Sequence, residues 1–92
     1  MDYFEPQNPA YIKKERAKAR ELRKSQWWKQ KLATGICYYC EQRFDKEDLN
    51  MDHLIPLVRG GKTSKSNCVL SCKACNFKKK HKTPVDLILE EL

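Results

Sequence analysis

Ninety-two residues, 40% hydrophobic and 34% charged, leave room for one small domain whose apolar supply is too thin to stand without a cross-link. No stretch comes near the ~18 consecutive apolar residues of a membrane span, so no membrane partner is expected. The net charge of +7 is concentrated, with nine Lys/Arg against two Glu between residues 9 and 33, which points to a polyanion such as nucleic acid.

The first predicted element is one long helix over residues 8–34. Asn8 is placed to cap it, Pro9 suits its first turn, and Gly35 is where it stops. Its interior has no Gly or Pro, and its apolar stripe strengthens only through Leu22, Trp28 and Leu32. The C-terminal half is therefore expected to dock while the N-terminal half projects as a basic arm. That arm, residues 1–34, is set apart from a domain at 35–92. It offers Lys13, Lys14, Arg16, Arg20, Arg23 and Lys24 to phosphates. Trp27 and Trp28 diverge by about 100° around a helix. One is expected in the core, and the other over the following knuckle or exposed.

Next, ICYYCEQRF forms a tight Cys-x-x-Cys knuckle, and residues 45–48 a polar turn. LNMDHLI reads as a strand by its Leu49/Met51 alternation. VRGGKTSKSN has loop composition, and Val69-Leu70 is a short second strand pairing back on the first. CKACNFKKKH opens a helix with Ser71 as its cap. Thr83-Pro84-Val85-Asp86 starts a short closing helix through LILEEL.

Five cysteines cannot all pair within one chain, and four fall into two Cys-x-x-Cys pairs, Cys37/Cys40 and Cys72/Cys75, separated by 31 residues. Each pair bends so that two thiolates face one tetrahedral position, and zinc takes four sulfurs at about 2.3 Å. Such a site has no open position, so this Zn²⁺ is structural and provides the missing cross-link. Cys68 lies outside the pattern and is expected in the core. Thiolate ligands, together with an acidic N-terminus lacking an apolar leader, fit a reducing, cytoplasmic setting.

A zinc staple does not identify an activity; the residues between and after the cysteines do more. If the strands form a hairpin and the second knuckle opens a helix, Asp52, His53, Asn67 and Asn76 converge. Asp52 and Asn76 carry hard oxygens suited to Mg²⁺ or Mn²⁺. His53 titrates near neutrality and can take a proton from water. The Asn67 amide can pin the loop backbone or the imidazole. Adjacent strand residues face opposite ways, so the strand is expected to end or twist, and so to be irregular, at Asp52 and His53. Lys79 and Lys80 follow on the helix and are expected to contact phosphate. His81 is expected at the surface or near phosphate. Arg59, beside the double glycine, is open between a phosphate contact and solvent.

The run DHLIPLVRGGKTSKSN followed by LSCKACNFKKK resembles the HNH nucleases, also called ββα-metal or His-Me finger nucleases. The likeness covers about half the chain and is closest to the zinc-bound branch with two knuckles. It implies an α+β fold: a zinc-stapled ββα-metal domain, a short β-hairpin plus helix, flanked by the long basic helix and a short C-terminal one. It also implies His53 as general base, Asn67 as the motif's middle asparagine, and Asp52 with Asn76 holding the catalytic Mg²⁺ or Mn²⁺. Asn76 stands where a histidine ends the family motif, so this is the HNN variant. The expected function is metal-dependent hydrolysis of duplex or branched DNA, with no small-molecule cofactor. The competing readings are a non-catalytic zinc module that binds nucleic acid and an adaptor that holds a protein partner through its Trp-bearing helix.

Overall fold

A computed structural model describes residues 7–80 and 82–90; His81 lies outside them. Asn8 caps the first helix by accepting the Tyr11 amide at 2.9 Å, and Pro9 fills its first position, so α1 runs Pro9–Arg23. It does not continue to residue 34. Ser25 turns extended and its hydroxyl accepts the Trp28 amide at 3.2 Å, capping a second helix, α2, over Gln26–Thr34. The same hydroxyl donates to the Leu22 carbonyl oxygen at 2.6 Å. A serine that satisfies both helix ends with one side chain outcompetes the helical propensity around it. α2 stops at Gly35, whose φ of 68° is left-handed.

The break lets both segments dock, so the N-terminal half is not a projecting arm. The Tyr11 hydroxyl donates to the Gly61 carbonyl oxygen at 2.8 Å, and Glu15 and Ala19, one turn apart, are buried.

β1 (Leu49–His53) pairs antiparallel with β2 (Cys68–Cys72), in register from Leu49↔Cys72 to His53↔Cys68. β2 is longer than the Val69-Leu70 pair expected, and all five of its residues are buried. The strand expected over LNMDHLI ends at His53, where the chain bends, but it does not twist out of register: the pairs of Asp52 with Val69 and His53 with Cys68 are intact. The first knuckle closes onto β2, where the Tyr38 amide donates to the Leu70 carbonyl oxygen at 2.8 Å.

α3 (Lys73–Lys79) follows directly and packs on both strands. Its cap is Cys72, whose Sγ accepts the Cys75 amide at 3.4 Å. Ser71, expected there, is a buried strand residue, because β2 extends to Cys72 itself. α4 (Pro84–Glu90) begins with a reciprocal box: Thr83 Oγ1 accepts the Asp86 amide, and Asp86 Oδ2 accepts that of Thr83. Arg59 is ion-paired with Asp86, tying the loop to α4.

The core is built around the cysteines. Trp28 (4% exposed), Leu49 and Leu70 gather with Cys37 and Cys72, and Leu32, Phe44 and Met51 pack against them. Trp28 is thus the core tryptophan. Trp27 is half-buried, with the Lys31 and Lys65 ammonium groups over its ring. Among the described residues, no helix is long and apolar enough to cross a membrane.

Candidate active site and metal centre

The Sγ atoms of Cys37, Cys40, Cys72 and Cys75 all lie within 4.8 Å of one another. Tetrahedral zinc with its usual Zn–S bonds sets sulfurs about 3.8 Å apart, so the donor set fits Zn²⁺. The Tyr39 amide donates to Cys37 Sγ and the Cys75 amide to Cys72 Sγ, each at 3.4 Å. Burial resists ionising Cys37, but the Cys40, Cys72 and Tyr39 amides prevail and bring its thiol down to about 6. Burial and the neighbouring thiols push Cys75 up to about 12. Metal ligation needs thiolates, so loading this cluster would release the protons that its raised thiols hold. Cys68 is 1% exposed, stands apart, and is held neutral chiefly by burial, as a core residue should be.

Asp52 sits on β1, 8% exposed, with both oxygens engaged. Oδ2 accepts the Tyr39 hydroxyl at 2.5 Å and lies 3.5 Å from Lys79 Nζ; Oδ1 accepts the Asn76 amide nitrogen at 3.3 Å. Lys79 corrects an expectation. It is 2% exposed and turned inward, donating to the His53 carbonyl oxygen at 2.9 Å, rather than reaching phosphate. A buried ammonium is tolerated because a carboxylate and a carbonyl meet it. Burial still lowers its pKa, against the pull of Asp52. Tyr39 was not anticipated, although its place inside the first knuckle was a signal. Burial, with Asp52 beside it, holds its proton far more tightly than usual.

His53 closes β1, half-buried, with Nε2 at 3.0 Å from Thr63 Oγ1. Burial is the main force lowering its pKa below the ordinary 6.5; Asp52 opposes, while Lys79 and Arg23 assist. The imidazole is therefore neutral at neutral pH. The Asn67 amide bonds to the loop backbone instead. Its Oδ1 accepts the Ile55 amide at 2.9 Å, and its Nδ2 donates to the carbonyl oxygens of Ile55 and Lys62 at 3.1 and 2.8 Å. That clamps the loop that leaves His53.

His53 and Asp52 line one cleft of about 240 Å³, bordered by Arg16, Pro56, Leu57 and Lys80. Arg16 from α1 and Lys80 after α3 are both exposed and set positive charge at its rim. Lys13, Lys14, Arg20, Arg23 and Lys24 are exposed along α1 and its end. A carboxylate and an adjacent amide are hard donors and fit a divalent cation that keeps most of its waters. The amide presents nitrogen to Asp52, so ligation through Asn76 requires the amide to turn over.

A family model described as HNH endonuclease matches residues 37–90. That segment holds both knuckles, the hairpin, α3 and α4, and leaves α1 and α2 outside. No curated protein matches the chain.

Proposed function

The chain belongs to the HNH endonuclease family, and we propose that it is a metal-dependent endonuclease that hydrolyses DNA, duplex or branched, with His53 as general base. The observation that carries this reading is the shared cleft: half-buried His53 and its neighbour Asp52 both line a space rimmed by Arg16 and Lys80. A phosphodiester entering it meets positive charge on two sides. His53 takes a proton from water, whose oxygen forms a bond to phosphorus as the bond to the 3′ oxygen breaks. The leaving oxygen gains its proton from solvent, giving 5′-phosphate and 3′-hydroxyl ends. Asp52 and Asn76 would hold Mg²⁺ or Mn²⁺, which supplies Lewis-acid stabilisation of the phosphoryl charge. The four cysteines hold structural Zn²⁺, and their thiol chemistry supports a reducing intracellular setting. The exposed basic residues of α1 add affinity that falls steeply with salt.

A second reading rests on one observation. Asp52 is already satisfied by Tyr39, Asn76 and Lys79, as in a zinc module that binds nucleic acid without cutting it. Plasmid nicking separates the two. The nuclease nicks with Mg²⁺ or Mn²⁺, stops with EDTA, and loses activity in His53→Ala while still binding DNA. Clean zinc-loaded protein that cuts no DNA or RNA form with either metal refutes it in favour of the binding module.

A further inference from the structure

α1 lies outside the segment the family model covers, yet it sends a carboxylate into the interior beside His53. Glu15 is 3% exposed amid a run of lysines and arginines. Its Oε1 accepts the Thr63 amide at 2.7 Å, and its Oε2 pairs with Lys18 at 3.1 Å. Its backbone carbonyl oxygen accepts the Thr63 hydroxyl at 2.8 Å. Glu15 thus grips Thr63 at two points, and the other side of the Thr63 hydroxyl meets His53 Nε2 at 3.0 Å.

Proton counting settles the direction of that last bond. A hydroxyl has one hydrogen and two lone pairs, and a carbonyl oxygen can only accept. The Thr63 hydrogen is committed to Glu15, so a lone pair faces His53, and Nε2 must donate. A neutral imidazole has one N–H, which leaves Nδ1 as the bare nitrogen. We propose that Glu15 and Thr63 are positioning residues for His53: clamped from α1, the threonine hydroxyl holds the ring in the Nε2–H tautomer and aims Nδ1 as the proton acceptor. The mechanistic part rests on reading His53 as the base; the tautomer itself does not. α1 is then a component of the active site as well as a basic surface.

The test reads the tautomer and the chemistry separately on zinc-loaded protein. At about pH 8, where an imidazole is neutral, ¹⁵N shifts of the His53 ring should show Nε2 protonated and Nδ1 bare. Thr63→Val removes the hydroxyl at nearly constant volume and should draw the two shifts together; Thr63→Ser should restore the wild-type pattern. In nicking assays Thr63→Val should lower kcat roughly 10- to 100-fold, the cost typical of losing a group that orients a functional histidine. KM should stay unchanged, and Thr63→Ser should recover the rate. Glu15→Ala, with zinc content and melting monitored, should shift the ring signals in the same direction as Thr63→Val. A protonated Nδ1 in the wild type overturns the proposal, as do Thr63→Val signals and rates equal to wild type. If the tautomer pattern holds but no nucleic acid is cut, the nuclease reading fails while the positioning of His53 stands.

Discussion

Gly60 and Gly61 are adjacent, yet they are glycine for different reasons, and the difference can be measured. A Cβ built on Gly61 would lie 1.8 Å from the Ile55 carbonyl oxygen, 2.6 Å from its carbon and 3.0 Å from the Pro56 oxygen. Real Cβ atoms essentially never come closer than 3.0 Å to such neighbours, so the Ile55 carbonyl must withdraw by more than about an ångström on alanine substitution. That carbonyl accepts from Asn67 Nδ2, and the Gly61 amide donates to the Pro56 oxygen. Two hydrogen bonds at ~0.5–1.5 kcal/mol each, plus the desolvated groups they leave, give about 2–4 kcal/mol for Gly61→Ala. Among the described residues Gly60 meets only the Gln7 side chain, at 3.4 Å, but it has φ 92°. Gly60→Ala should cost only the left-handed penalty, about 1–2 kcal/mol. Urea denaturation of the zinc-loaded proteins supplies both numbers. The reasoning is refuted if Gly61→Ala stays within ~0.5 kcal/mol of wild type, or if Gly60→Ala is the more damaging change.

The Lys79–Asp52 pair should show coupling of about 1–3 kcal/mol in a double-mutant cycle of Lys79→Met and Asp52→Asn; coupling near zero would make the buried ammonium incidental. Because His53 has a folded pKa below 6.5, its neutral form is favoured in the native state. Its contribution to stability is therefore present above that value and is lost as pH falls through the folded pKa. Cleavage should show an acid limb with its midpoint below 6.5, and a midpoint above 7 in the rate–pH profile would contradict this assignment. Chelating zinc should abolish the helical circular dichroism signal. By metal analysis, Cys37→Ser and Cys72→Ser should each lose the bound zinc, whereas Cys68→Ala should keep it.

The parts of this protein written as spacing were readable in advance. Two Cys-x-x-Cys pairs, a strand through Asp52-His53 and an asparagine just after the last cysteine define a metal staple and a hairpin whatever the rest of the chain does. What stayed hidden are choices made only in three dimensions. Lys78, Lys79 and Lys80 are chemically identical in sequence, and the phase of α3 against the strands selects the middle one for burial. Glu15 sits in a run of basic residues and reads as surface; its partner Thr63 is 48 residues away. Ser25 looked like an ordinary member of a strong helical segment, since propensity sums over a window while a cap acts at one residue. The expectation that the strand ends or twists at Asp52-His53 came from the opposed faces of neighbouring strand residues; it ends there and does not twist out of register. His53 is the last paired residue, and it borders the same cleft as Asp52 without breaking the ladder.

Tyr39 ties the cysteine cluster directly to the candidate site. Its backbone belongs to the first knuckle, and its hydroxyl ends on Asp52. Without zinc the knuckle is left to a few backbone hydrogen bonds, such as Cys37 to Gln42 and Glu41 to Cys37, so the carboxylate is expected to lose its shortest contact along with the core that Cys37 and Cys72 help to form. Metallation and assembly of the cleft are therefore one event in time. In the proposed nuclease, a newly made chain still waiting for its zinc would lack the assembled cleft, and would gain it only on folding.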